Sequence, residues 1–414
     1  MNQKLLFIFS FAVAKAFVFV GPLWLGNIAE ITLYGEIEFY LSLATWLAIL
    51  VGVGVPGSIP IQIIKNENQL VRDVVLRLLL IVFLVLLFLY FAFYIYGLRA
   101  SYFFVVGLIG FSISQQFLSP LIKSHGINSF TPWVENMALH LTIFSALIYY
   151  LINRQGVDSG FYYIMQFISL AFLIILIFFV CRSRVLFKIE YFNLYKRMLR
   201  QGVPILLNGM LMMLAFNAGR VLLGTFWDNT MVGLYSYLFR LSGTSLILYQ
   251  LCNYFLFKSL YGEANANLNK KVDAMYSAVA LFSILACVVA SIYPSYVFPD
   301  EHQSSNASHL FPIVMSQVNL WIMSAVLEVR INRNNLTKIS LKLCSIPVLF
   351  ATLCIIVLSL QQISDPTTIF LAFYFGALCV VFTQSFVLKS KSKERTSVFF
   401  NSAKLSLPLI LLAY

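Results

Sequence analysis

About twelve runs of roughly 18 to 25 apolar residues cross this sequence, each long enough to span about 30 Å of hydrocarbon as a helix. They fall near 5–25, 39–63, 74–96, 103–121, 136–152, 161–181, 203–226, 231–257, 274–297, 309–327, 339–360 and 367–388. A chain with that pattern is an all-α polytopic membrane protein, because backbone inside a bilayer must satisfy its own hydrogen bonds. Its 60% hydrophobic and 11% charged residues exclude an ordinary soluble globule.

A formal charge of +12 invites a nucleic-acid reading, yet in a membrane protein basic residues chiefly mark topology. With the N-terminus cytoplasmic, the inner segments and the span ends that adjoin them hold 23 of the 28 basic residues. The outer loops hold Arg99 and Arg154, and Lys15, Arg220 and Arg240 lie within spans. Both termini are therefore expected in the cytoplasm, with no nucleic-acid partner. The first span is expected to remain as a helix, since Lys15 interrupts it and no small-x-small cleavage site precedes Glu30 and Glu36. Six cysteines lie in or beside spans without metal-ligand spacing and read as packing residues. His140, inside the fifth span, reads as a hydrogen-bonded core residue before a proton relay.

The stretch GPLWLGNIAEITLYG (21–35) meets GRVLLGTFWDNTMVG (219–233) at an offset of 198. Gly21, Leu25, Gly26, Thr32 and Gly35 align with Gly219, Leu223, Gly224, Thr230 and Gly233, and Leu43, Ile49 and Leu50 align with Leu241, Ile247 and Leu248. The match covers a helix, an outer loop and the next helix in one register. It predicts two six-helix lobes, 1–181 and 203–414, joined by a basic cytoplasmic linker, 182–202. Six is even, so the copies run parallel, related by a pseudo-two-fold axis along the membrane normal, and can rock about a site between them.

A basic residue inside a bilayer usually faces a bundle interior or a water-filled cavity. Arg220 lies eight residues before Asp228, in the seventh–eighth helix hairpin, and Arg240 twelve after it. At the rise of a helix both stand about 12 to 18 Å from the outer turn. Lys15 sits mid-way along the first helix, the counterpart of the seventh. Glu38, Glu135 and Glu328 read as span-end residues, so the three cations are expected to leave positive charge uncompensated in a cavity suited to an anion, the arginine fork matching phosphate oxygens. Asn208, Asn217, Gln115, Gln116 and Gln384 either line that cavity or bridge helices.

The motifs QGVPILLN (201–208), GRVLLG (219–224) and VGLYSYLFRL (232–241) resemble the seventh helix, outer turn and eighth helix of Wzx-type polysaccharide flippases. That superfamily also holds multidrug exporters of the MATE type and lipid II flippases. The resemblance implies a MATE-like V-shaped fold and an O-antigen or capsule repeat unit, linked to undecaprenyl pyrophosphate, moved across the bacterial inner membrane by alternating access. It also implies functional partnership with an O-antigen polymerase and a chain-length regulator. Many relatives carry an acidic residue just before the seventh-helix arginine, where this chain has Gly219. No phosphate-cradling G-x-x-x-x-G-K-[ST] loop is present, so no cofactor is expected and proton or sodium coupling is the default. A membrane polymerase or ligase would need a sizeable outer loop, and those here have about a dozen residues or fewer. A cation drug exporter of the same fold would be expected to hold acidic residues within its spans.

Overall fold

The computed structural model describes residues 3–64, 68–124, 129–154, 156–182, 189–216, 219–247, 249, 266–298, 307–334, 336–363 and 365–392. Ten described helices are long and apolar enough to cross a membrane, and Met137–Asn153 is a shorter apolar helix. The protein is thus a multi-pass, nearly all-helical membrane protein. Its contacts divide it into two units, Met1–Met210 and Leu211–Tyr414.

In the first unit the helices are α1 (Gln3–Ile28), α2 (Ile31–Gly52), α3 (Val55–Ile64), α4 (Asn68–Ile95), α5 (Ala100–Ser124), α6 (Thr131–Val134), α7 (Met137–Asn153), α8 (Phe161–Arg182) and α9 (Ile189–Phe216), whose last turns lie in the second unit. The expected single span 39–63 is instead broken. Val53 and Gly54 take left-handed φ values of 45° and 76°, and the chain restarts as α3. The cause is close backbone approach: a Cβ on Gly54 would lie 2.2 Å from the carbonyl oxygen of Gly202 in α9, and one on Gly202 equally close to that of Gly54. Only glycine allows both the approach and the positive φ at 54.

Helix α5 is the axis of this unit, packed against α2, α3, α4 and α8. Phe83 of α4, Ile113 and Phe117 of α5, Leu173 of α8 and Met198 of α9 meet in one apolar cluster. The far side of α4, with Ile81, Leu84, Val85 and Phe88, is exposed apolar surface, as a lipid-facing helix requires.

The second unit contains the end of α9, then α10 (Gly219–Phe226), α11 (Asn229–Ser242), α12 (Ala266–Ile292), α13 (Pro294–Val297), α14 (Ala307–Arg333), α15 (Thr337–Leu360) and α16 (Pro366–Ser392). Its packing scheme repeats the first. As α5 packs on α2, α4 and α8, so α14 packs on α11, α12 and α16, and as α7 touches α1 and α8, so α15 touches α10 and α16. The end loops repeat as well. Val157 N–H donates to the Ile28 carbonyl at 3.2 Å, and the indole of Trp227 donates to the Ile363 carbonyl at 2.8 Å. In each unit the first hairpin is thereby tied to the loop between its fifth and sixth spans, which is structural support for the duplication at offset 198.

Two expectations take a different form here. Much of the expected linker 182–202 is helical, because α9 begins at Ile189, and the division between units falls at Met210 and Leu211. The expected seventh span is met by the end of α9 and by α10. Asn217, residues 183–188 of the linker, residues 250–257 of the eighth span and the tail from residue 393 lie outside the described residues.

Candidate functional site

In the second unit the sequence DNT (228–230) fixes the hairpin that carries the arginines. Asp228 is extended and its carboxylate accepts from the Met231 N–H at 2.7 Å, capping α11. This sets α10 and α11 side by side, so that Arg220 of α10 reaches across to α11. Its Nε donates to Ser236 Oγ at 3.0 Å, its guanidinium carbon lies 4.8 Å from the Phe239 ring centre, and the residue is 8% exposed. Arg240 stands four residues beyond Ser236, one turn along the same helix face. It is half-buried in the last turn of α11, where the helix dipole favours a cation. The hairpin thus holds both arginines, one on each helix.

The glycine before Arg220 has a steric reason. A Cβ on Gly219 would lie 2.8 Å from two ring atoms of Tyr235 and 3.0 Å from its hydroxyl. Tyr235 is fixed in turn by its hydroxyl, which donates to Gln317 at 2.9 Å, and by the rings of Phe370 and Phe373. An aspartate or glutamate at 219 would collide with that ring. Ser236 supplies polar contact from the opposite helix.

Lys15, in the first unit, faces a different environment. Its ammonium is 3.7 Å from Glu135, with the two side chains 11% and 22% exposed, and 5.5 Å from the Phe11 ring centre. The pair lines an open cleft of about 340 Å³ together with Gln115, Gln116, Ser119, Pro120 and Asn136. Lys15, Gln115 and Gln116, all read from the sequence as cavity residues, are therefore brought together. The expectation of uncompensated charge fails for Lys15, because Glu135, just before the start of α7, pairs with it. The short α6, with Pro132 in its first turn, precedes α7, and Glu135 occupies the break between them. The Thr-Pro pair at 131–132 is the sequence signal for that earlier helix start.

Of the other expected residues, Asn208 is buried in α9, and Gln384 is buried with its amide 3.5 Å from the Met212 sulfur, a helix-bridging position. His140 is buried, with its ring nitrogens 3.1 Å from the carbonyls of Ala14 and Trp133. Arg77 and Arg330 are buried as well, although each stands at the inner end of a span and so belongs by sequence to the inner basic excess. Arg77 of α4 stacks on Tyr191 at 3.8 Å, and Arg330 of α14 is 2% exposed.

Taken together, the helices and the cations within them define a polytopic membrane protein of two similarly packed units. No family model matches the sequence, and no curated protein does. Among solved structures the chain is similar to the lipid II flippase MurJ in an inward closed conformation, with a TM-score of 0.57 over 97% of each chain at 12% identity. At that identity the likeness is one of fold, and it agrees with the MATE-like fold expected from the sequence.

Proposed function

We propose that the protein is a flippase that carries an undecaprenyl-pyrophosphate-linked O-antigen or capsule repeat unit from the cytoplasmic to the outer leaflet of the bacterial inner membrane by alternating access. The observation that carries this reading is the α10–α11 hairpin, which holds Arg220 against Ser236 and carries Arg240 one turn beyond Ser236, inside an apolar unit. Planar guanidinium pairs match the oxygens of a pyrophosphate, and the lipid tail can stay in the bilayer while the headgroup is held. A fold shared with a lipid II flippase over nearly the whole chain supports a lipid-linked cargo. Lys15, Gln115 and Gln116, with Asn208 and Asn217, are the residues proposed to meet the rest of the headgroup. The short outer loops leave no room for a polymerase or ligase lobe, so the protein acts as a transporter, with proton or sodium coupling. An O-antigen polymerase and a chain-length regulator are its proposed functional partners.

Membrane-protein level and surface polysaccharide, measured side by side, test this. Arg220→Ala with Arg240→Ala should leave the protein in the membrane and abolish glycan export, and Arg→Lys at both sites should retain part of it, since charge survives without the bidentate geometry. Normal polysaccharide from a well-expressed double alanine variant would overturn the anion site. A fall in protein level with export per molecule unchanged would assign the arginines to packing. Sidedness is checked with an impermeant thiol reagent on intact cells, which should label Arg99→Cys and spare Lys196→Cys.

A further inference from the structure

The imidazole of His140 is 3% exposed and stands between two backbone oxygens, with Nδ1 3.1 Å from the carbonyl of Trp133 in α6 and Nε2 3.1 Å from the carbonyl of Ala14 in α1. A neutral imidazole has one N–H and one lone pair, whereas an imidazolium has two N–H donors. In the neutral ring, whichever tautomer forms, one nitrogen turns a lone pair toward a carbonyl oxygen. Only the protonated ring donates to both. We propose that His140 is a proton-binding site whose loaded form ties α1 to the α6–α7 break, so that a proton acts on the wall of the Lys15 cleft.

The surroundings support a site that exchanges its proton. The Trp133 carbonyl belongs to the single turn of α6, which ends at the break, where helix carbonyls look for outside donors. Its indole donates to Ser10 Oγ at 3.0 Å, a second tie between α6 and α1 that does not depend on the proton. Charge reaches His140 from two directions. Lys15 is next to Ala14 on α1, and Glu135, its ion-pair partner, is two residues beyond Trp133. The other helices packed on α7 are α5 and α8. Within their bounds neither has a carboxylate, and their basic residues, Lys123 and Arg182, stand at the C-terminal ends. Any anion that draws Lys15 away from Glu135 therefore alters the balance at His140, and proton loading in turn fixes the cleft wall. Loss of the proton to water through the cleft leaves one carbonyl without its N–H and loosens α1 from α6.

The test needs no transport assay, so it stands or falls separately from the flippase reading. The Trp133 ring centre is 4.9 Å from that of His140, which makes its fluorescence a reporter. In purified protein with Trp24, Trp46, Trp227 and Trp321 changed to Phe, Trp133 emission should titrate in one step as pH falls. The step should vanish in His140→Gln, rise by about 1 pH unit in Lys15→Met and fall by about 1 pH unit in Glu135→Gln. Absence of a step, or its persistence in His140→Gln, overturns the proposal. Should His140→Gln fail to fold, Lys15→Met still decides: an unmoved midpoint overturns the proposal, and an upward shift supports it.

Discussion

Gly21 and Gly219 occupy the same place in the two copies of the repeat, yet they admit different neighbours. A Cβ on Gly21 would meet the Ile143 side chain of α7 at 3.0 Å, and one on Gly219 would meet the Tyr235 ring of α11 at 2.8 Å. The two aligned helices share a point of close approach and use it against different helices. The cations diverged in the same way. The residue after the glycine is Pro22 in the first copy and Arg220 in the second, and the first copy places its cation six residues before the glycine, at Lys15. Lys15 consequently meets a carboxylate at the α6–α7 break, and Arg220 meets a hydroxyl and an aromatic face on α11. The two units thus share a packing scheme and differ in the chemistry around their cations.

The largest effect is expected where the copies have no counterpart in sequence. Gly54 aligns with Cys252 and Gly202 with Lys4, so the sequence holds no second glycine pair at those positions. Gly202→Ala should cost more than about 4 kcal/mol or abolish folding, because the intruding Cβ meets backbone that has no rotamer to change. Membrane yield and thermal unfolding in detergent read the outcome. The paired glycines come next. Gly219→Asp should cost about 1–3 kcal/mol through overpacking, with partial recovery when Tyr235→Ala is added. Gly21→Ala should cost less than about 1 kcal/mol, since Ile143 can shift its side chain. Equal effects at the two sites would break the contrast.

For the cations, a double-mutant cycle with Lys15→Met and Glu135→Gln should give a coupling of about 1–2 kcal/mol, between an exposed pair and a fully buried one. A cycle with Arg220→Met and Ser236→Ala should give a comparable value, about 1.5 kcal/mol, the lower end for a hydrogen bond from a charged donor. The smallest effect concerns the loop tied by Trp227. Hydrogen bonds from the Thr368 hydroxyl, and from the Thr367 and Thr368 backbone N–H groups, hold the Asp365 carboxyl below its usual range. Its contribution to stability is thus present above the unfolded value of about 3.9 and fades as pH falls through the lower folded value. Asp365→Asn should flatten that acid limb by a few tenths of a kcal/mol, given the exposed site.

The spans and the repeat were legible because both depend on runs of tens of residues, over which hydropathy averages well. The exact places of the breaks were not. A left-handed turn at Val53 and Gly54 changes no average, although Pro56 just beyond it was a local sign. The Glu135 break was hidden in the same way, and with it the partner of Lys15. For Arg220, the sequence placed a buried cation correctly and registered the missing acid before it. The reason for that absence lies sixteen residues away in Tyr235, a contact that appears only once α10 and α11 are folded together.

The end-loop ties also impose an order on how the chain is made. The indole of Trp227 and the carbonyl it binds are 136 residues apart, and the tie from Ile28 to Val157 closes a span of similar length. At a synthesis rate of about 5–20 residues per second, each hairpin enters the bilayer on the order of 10 s before its closing partner emerges. Each copy therefore stays an open circuit through most of its own translation and locks when its last pair of spans is threaded.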